Sequence, residues 1–123
     1  MKNGFLFSLV LLLGSSLAFR NAPRSLVGRW QQRWANGAIL LANFRPDGSY
    51  EAFVDGKAFV RGRYAVRQDT LALNDTGCRM YGHYQLTFFA EDSVRFTAIQ
   101  DSCEQRRRGT NQSVFGRLTP AKP

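Results

Sequence analysis

The chain has 123 residues, with 17 Lys and Arg against 9 Asp and Glu, one His, two Cys and 11 Gly. That length fits one domain, and 44% hydrophobic with 21% charged residues is the balance of a folded protein. Collagen-like, coiled-coil and disulfide-dense scaffolds are excluded. A formal net charge of +8 raises the question of an anionic partner.

The chain opens with Lys2, an apolar run over 5–13, and small residues at Ser16 and Ala18. These are the three parts of a secretory signal peptide, with cleavage expected after Ala18. Residues 1–18 are then the signal and 19–123 the exported domain. An uncleaved anchor is the rival reading, but crossing a bilayer takes about 20 apolar residues, roughly twice this run. A lipoprotein needs a Cys just after the cleavage site, where Phe19 stands. The expected location is periplasmic or secreted, with no transmembrane segment after signal cleavage.

Beyond the signal, turn residues recur at short intervals: Asn36-Gly37, Pro46-Asp47-Gly48, Asp55-Gly56, Gln68-Asp69, Asn74-Asp75-Thr76-Gly77 and Glu91-Asp92. Between them lie segments rich in Val, Phe, Tyr, Leu and Thr, the pattern of antiparallel strands joined by tight turns. The predicted strands are 26–34, 38–45, 49–54, 58–67, 70–74, 82–89, 93–101 and 112–119. In the fourth, Val60, Gly62, Tyr64 and Val66 share one face while Phe59, Arg61, Arg63 and Arg67 share the other. In the sixth, Tyr84, Leu86 and Phe88 oppose His83, Gln85 and Thr87. In the seventh, Val94, Phe96 and Ala98 oppose Arg95 and Thr97, and Ile99 breaks the alternation. Period two with one wet face is the signature of strands around a core.

One helical piece is expected, over 102–109. It has a capping-box pattern from Ser102, cations near its end and Gly109 as its stop. Cys78 and Cys103 are expected to form a disulfide, because an isolated pair in an exported domain is more often bridged than free. In a hairpin turning at Glu91-Asp92 they fall near each other, Cys78 in the loop before one strand and Cys103 just after the next. Two cysteines and one histidine do not complete a tetrahedral metal site, so no metal or cofactor is expected.

Eight short strands in so small a domain make a sandwich or a barrel. An immunoglobulin sandwich places a Trp between two distant cysteines, whereas here both Trp residues precede a pair only 25 apart. Closure also removes exposed sheet edges. The predicted fold is all-β, a small antiparallel up-and-down barrel of about eight strands.

The order Gly28-Arg29-Trp30, Pro46-Asp47-Gly48, Gly62-Arg63-Tyr64, Gly82-His83-Tyr84 and Asp101-Ser102-Cys103-Glu104 resembles the small bacterial lipocalin-like domains of the calycin superfamily. The resemblance spans nearly all of 26–119. It implies a barrel with a cup for a small molecule, and an Arg near the last strand packed across Trp30. Arg117 fits that role by position and Arg106 is second.

Most carboxylates lie in predicted turns, where Asp caps its own backbone. Asp101 and Glu104 flank Cys103 in an Arg-rich loop, where salt bridging or capping accounts for them. His83 is the only histidine, and no nucleophile-elbow pattern accompanies it. An enzyme is therefore not expected. Arg61, Arg63 and Arg67 form a basic stripe and Arg106, Arg107 and Arg108 a basic cluster. Trp30, Tyr50, Tyr64, Tyr84 and Phe96 point inward, either lining a ligand cup or filling the interior.

Two functional expectations follow. The first is an exported lipocalin-like module binding a small apolar or amphiphilic ligand through those five aromatics. The second is a solid-core basic module contacting anionic lipid, polysaccharide or a partner protein. Nucleic acid is not an expected partner, since an exported protein seldom meets it.

Overall fold

The computed structural model describes residues 24–118. The expected signal peptide lies outside the described residues. Eight strands follow in chain order: β1 Gly28–Arg33, β2 Ile39–Phe44, β3 Ser49–Val54, β4 Lys57–Arg67, β5 Thr70–Asp75, β6 Cys78–Phe89, β7 Ser93–Gln100 and β8 Ser113–Arg117. A single helix, α1 (Glu104–Thr110), interrupts them between β7 and β8. Each strand pairs antiparallel with the next, and β8 returns to β1 through Trp30↔Arg117 and Gln31↔Gly116. The fold is a closed up-and-down barrel.

Local chemistry explains the hairpins. Asp55 and Gly56 have φ of 50° and 82°, and Gln68 and Asp69 have φ of 52° and 62°. Two consecutive positive φ values give the two-residue turn whose twist matches the strands it joins. Gly62 is required by close approach, because a Cβ there would stand 1.9 Å from the Asn74 carbonyl oxygen on β5. Alternation then carries Trp30, Ala42, Phe44, Tyr50, Leu71, Leu73, Tyr84, Leu86, Val94, Phe96 and Phe115 into one core.

Three expectations are corrected. β6 starts at Cys78, not near 82. The Asp75 carboxylate accepts the N–H groups of Gly77 and Cys78 at 2.8 and 2.9 Å, so the turn is tight and the strand resumes at once. Ile99 breaks the alternation because the β6–β7 register shifts at His83/Tyr84: His83 pairs with Gln100 and Tyr84 with Ala98, which leaves Ile99 as the bulged residue. Finally, α1 begins at Cys103 as N-cap, with no side-chain capping bond, and runs through Gly109 to Thr110. The Ser102 capping box does not form. Asp101 accepts the Cys103 N–H instead, at 2.9 Å.

All turns fall at two ends of the barrel. One end carries the β2–β3, β4–β5 and β6–β7 turns. The other carries the β1–β2, β3–β4 and β5–β6 turns together with α1.

Candidate functional site

The most concentrated polar chemistry sits beneath α1, at the helix-bearing end. Inward alternation along β5 passes from Leu71 and Leu73 to Asp75, so a carboxylate takes the third core position. Asp101 follows β7 and is also buried. Arg106, on α1, joins the two. Its Nε and Nη2 donate to the two Asp101 oxygens at 2.7 and 2.8 Å, and its Nη1 reaches Asp75 at 3.4 Å. The same guanidinium donates to the carbonyls of Cys78 and Met80 at 3.0 and 2.7 Å. Its side chain is only 8% exposed, so it is not the surface residue that the basic cluster implied.

Two core tyrosines complete the group. The Tyr84 hydroxyl donates to Asp101, and the Tyr50 hydroxyl donates to Asp75 at 3.3 Å. Gly82 makes room for the cluster, since a Cβ there would lie 2.5 Å from the Asp101 carboxylate. Burial pushes the Asp101 carboxyl up. Hydrogen bonds from Arg106, Tyr84 and the Cys103 N–H outweigh it and hold the group below the usual carboxylate value. Burial also raises both tyrosines, helped by Asp75 at Tyr50 and by Asp101 at Tyr84. The disulfide Cys78–Cys103, with Cα atoms 6.3 Å apart, links the segments that carry the two aspartates.

Every strong donor of this cluster is already matched by an acceptor within the barrel wall. The cluster binds α1 to the barrel, and among the described residues no buried side-chain polar atom lacks a partner. The groups that sequence reasoning missed here are Asp75 and the role of Arg106. The period-two pattern of β5 carried the signal for Asp75, because it places residue 75 on the face of Leu71 and Leu73.

At the opposite end Arg117 lies over the Trp30 ring, 4.3 Å from its centroid. Its Nη1 and Nη2 donate to the carbonyls of Val27 and Ser25 at 2.9 and 2.7 Å. Trp30 donates from Nε1 to the Leu26 carbonyl at 2.8 Å. Arg117, and not Arg106, is therefore the arginine that packs on Trp30.

Trp30, Tyr50, Tyr84 and Phe96 are buried, and Tyr64 packs against their cluster. Phe44 stacks on Tyr50 and meets Tyr64 edge-on, with ring centroids 5.3 and 5.0 Å apart. Trp30 meets Phe88 and Phe96 meets Phe115, with centroids 6.4 and 5.3 Å apart, so the inward rings pack in groups within one core. Two concavities, of about 400 and 230 Å³, are open clefts on the outer face of the barrel wall. The larger lies over Gln31, Ile39, Leu41 and Phe53.

Arg61, Arg63 and Arg67 are exposed along the outer face of β4, as expected, and so are Arg107 and Arg108 on α1. Among the described residues, the three stripe arginines form no ion pair. Arg108 pairs with Glu104 on the helix surface at 2.7 Å, and Glu51, which faces Arg61 across the strands, pairs with Arg45. His83 stands half-buried on the outer face between Ala72 and Gln100. No group of residues able to hold a metal is found among the described residues, and no described helix is long and apolar enough to cross a membrane. Comparison with protein-family models and with curated proteins finds no match to this chain.

Proposed function

We propose that the protein is an exported, solid-core binding module that works through its outer surface, contacting an anionic component of the cell envelope with exposed arginines. The observation that carries this reading is the division of labour among charges. Arg106 takes Asp75 and Asp101 out of the surface, while Arg61, Arg63 and Arg67 remain exposed and without an ion pair among the described residues. The cluster thus removes two of nine acidic residues from the exterior and only one of the 16 basic ones that remain once Lys2 leaves with the signal (17 − 1). Arginine suits phosphate and carboxylate because its planar fork makes paired hydrogen bonds.

The packed aromatic interior weighs against a ligand cup, since burying a drug-sized molecule takes several hundred cubic ångströms of internal space. The Trp30–Arg117 stack supports kinship with lipocalin-like barrels without requiring their ligand. The disulfide accords with an oxidising compartment.

Binding to an anionic polysaccharide or to anionic vesicles tests the reading. Affinity should fall steeply between about 0.05 and 0.5 M salt, because contacts between exposed charges are screened. An arginine near an anionic surface contributes about 1 kcal/mol, so replacing Arg61, Arg63 and Arg67 by Gln should weaken binding about a hundredfold. Binding that ignores both salt and the triple substitution would sink the proposal.

A further inference from the structure

Among the described residues, the large apolar side chains that are more than half exposed all lie at one end of the barrel. Phe59, Met80, Tyr81 and Ile99 are 57%, 55%, 51% and 57% exposed. They sit near the start of β4, near the start of β6 and near the end of β7, all toward the end that carries α1. Two of them have a structural origin. The β3–β4 register shift leaves Phe59 without a partner between Ala58 and Val60, and the β6–β7 shift leaves Ile99 likewise. Trp34, in the β1–β2 turn of the same end, meets the Phe59 ring edge-on at 6.4 Å.

Exposed cations stand at both ends of the barrel, Arg24, Arg29 and Arg67 at the far end among them. The end with α1 carries exposed Arg33, Lys57, Arg79 and Arg107, none in an ion pair among the described residues. The carboxylates at this end are engaged. Asp55 accepts the Ile39 N–H at 2.9 Å, Glu104 holds Arg108, and Asp75 and Asp101 hold Arg106. The turns at the far end carry Asp47, Asp69, Glu91 and Asp92, of which Asp47 accepts from Ser49 and Asp92 pairs with Arg117. The exposed apolar side chains, and not the charges, therefore single out the end with α1.

We infer that this end docks on an anionic lipid surface, with Phe59, Tyr81, Met80 and Ile99 entering the headgroup layer and the surrounding cations contacting lipid phosphates. The inference rests on the proposed anionic partner and commits it to one chemistry. It adds the cations of this end to the β4 stripe, of which Arg61 lies nearest and Arg67 at the opposite end of the strand. A soluble polyanion accounts for the cations but leaves the bulged apolar side chains in water. A second copy of the chain would bring two cationic rims together. An anionic membrane interface accepts both, because aromatic and aliphatic side chains partition into it while basic ones meet its negative potential.

The test uses the protein in its isolated form, with vesicles of phosphatidylcholine alone, vesicles containing phosphatidylglycerol, and a soluble anionic polysaccharide. Acyl chains brominated near the headgroup serve as quenchers. Trp34 should be quenched only with phosphatidylglycerol present, while Trp30, 1% exposed in the core, should keep its emission. Tyr81→Ser/Ile99→Ser should lower vesicle affinity at least tenfold and leave polysaccharide binding unchanged; wild type and variant share the same N-terminal segment, so the difference belongs to the barrel end. Arg79→Gln/Arg107→Gln should also lower vesicle affinity, which provides a second route should the apolar variant fold poorly. Polysaccharide binding without vesicle binding overturns the membrane inference and leaves the anionic-partner reading standing. Vesicle binding without Trp34 quenching, or unaffected by both double variants, overturns the proposed orientation. Binding to neither probe overturns both readings.

Discussion

Arg106 makes five polar contacts from a side chain that is 8% exposed, and among the described residues it is the cation that pairs with both buried aspartates. A buried ion pair need not stabilise a fold relative to apolar residues, but removing one partner leaves an uncompensated charge that costs about 3–5 kcal/mol. Arg106→Gln is expected to lose that much in urea unfolding at neutral pH. The variant should recover part of the loss on acidification, since its stranded carboxylates can then take up protons. Equal losses at pH 7 and pH 4 would show that Arg106 acts by packing alone. Arg117 is also a packed arginine, yet it meets a ring and two carbonyls and no buried carboxylate. The two arginines therefore differ in what their loss exposes.

At the scale of elements, α1 buries no apolar side chain and sinks only the Arg106 guanidinium into the barrel end. The helix is held to the barrel by Arg106, by the disulfide at its N-cap and by Asn111, whose Oδ1 accepts the Ala98 N–H at 2.8 Å. A helix of seven residues has little stability of its own, so these polar and covalent ties decide its place. Closing a loop of this length stabilises by about 3 kcal/mol on the chain-entropy account. Cys103→Ala should accordingly lower stability by about 2–4 kcal/mol in oxidising buffer. After full reduction, wild type and variant should unfold almost together. Two free thiols in protein taken from an oxidising compartment would refute the link.

The whole molecule should respond to pH at both extremes. Asp101 is held below the ordinary carboxylate value in the folded chain. Its contribution is present above about pH 4, where the unfolded carboxyl is ionised, and is lost as pH falls through the depressed folded value. Tyr50 and Tyr84 are raised in the folded chain. Their contribution is complete below about pH 10 and is lost as pH climbs beyond it, because the unfolded phenols ionise first. Urea midpoints should form a plateau between these limits and fall on either side. A midpoint that stays level down to pH 2 would contradict the assigned role of Asp101.

Period-two alternation and turn chemistry are local properties, and they were enough to specify eight strands and their inward faces. The choice of barrel over sandwich came from the placement of the cysteines and tryptophans and from the need to close sheet edges. Asp55-Gly56 and Gln68-Asp69 mark their hairpins within two residues, and the β4 arginines share a face because alternation leaves them no other. The Cys78–Cys103 link was equally legible, since one hairpin connects the two positions. Tertiary structure decided what depends on register between strands. A shift of one residue at His83/Tyr84 turns Ile99 outward, and the tight Asp75 turn carries β6 back to Cys78. It also separated Arg106 from its neighbours Arg107 and Arg108, which look alike in sequence. Only Arg106 meets two carboxylates brought in from the ends of β5 and β7, and such a meeting of distant residues leaves no trace in the spacing of any one segment.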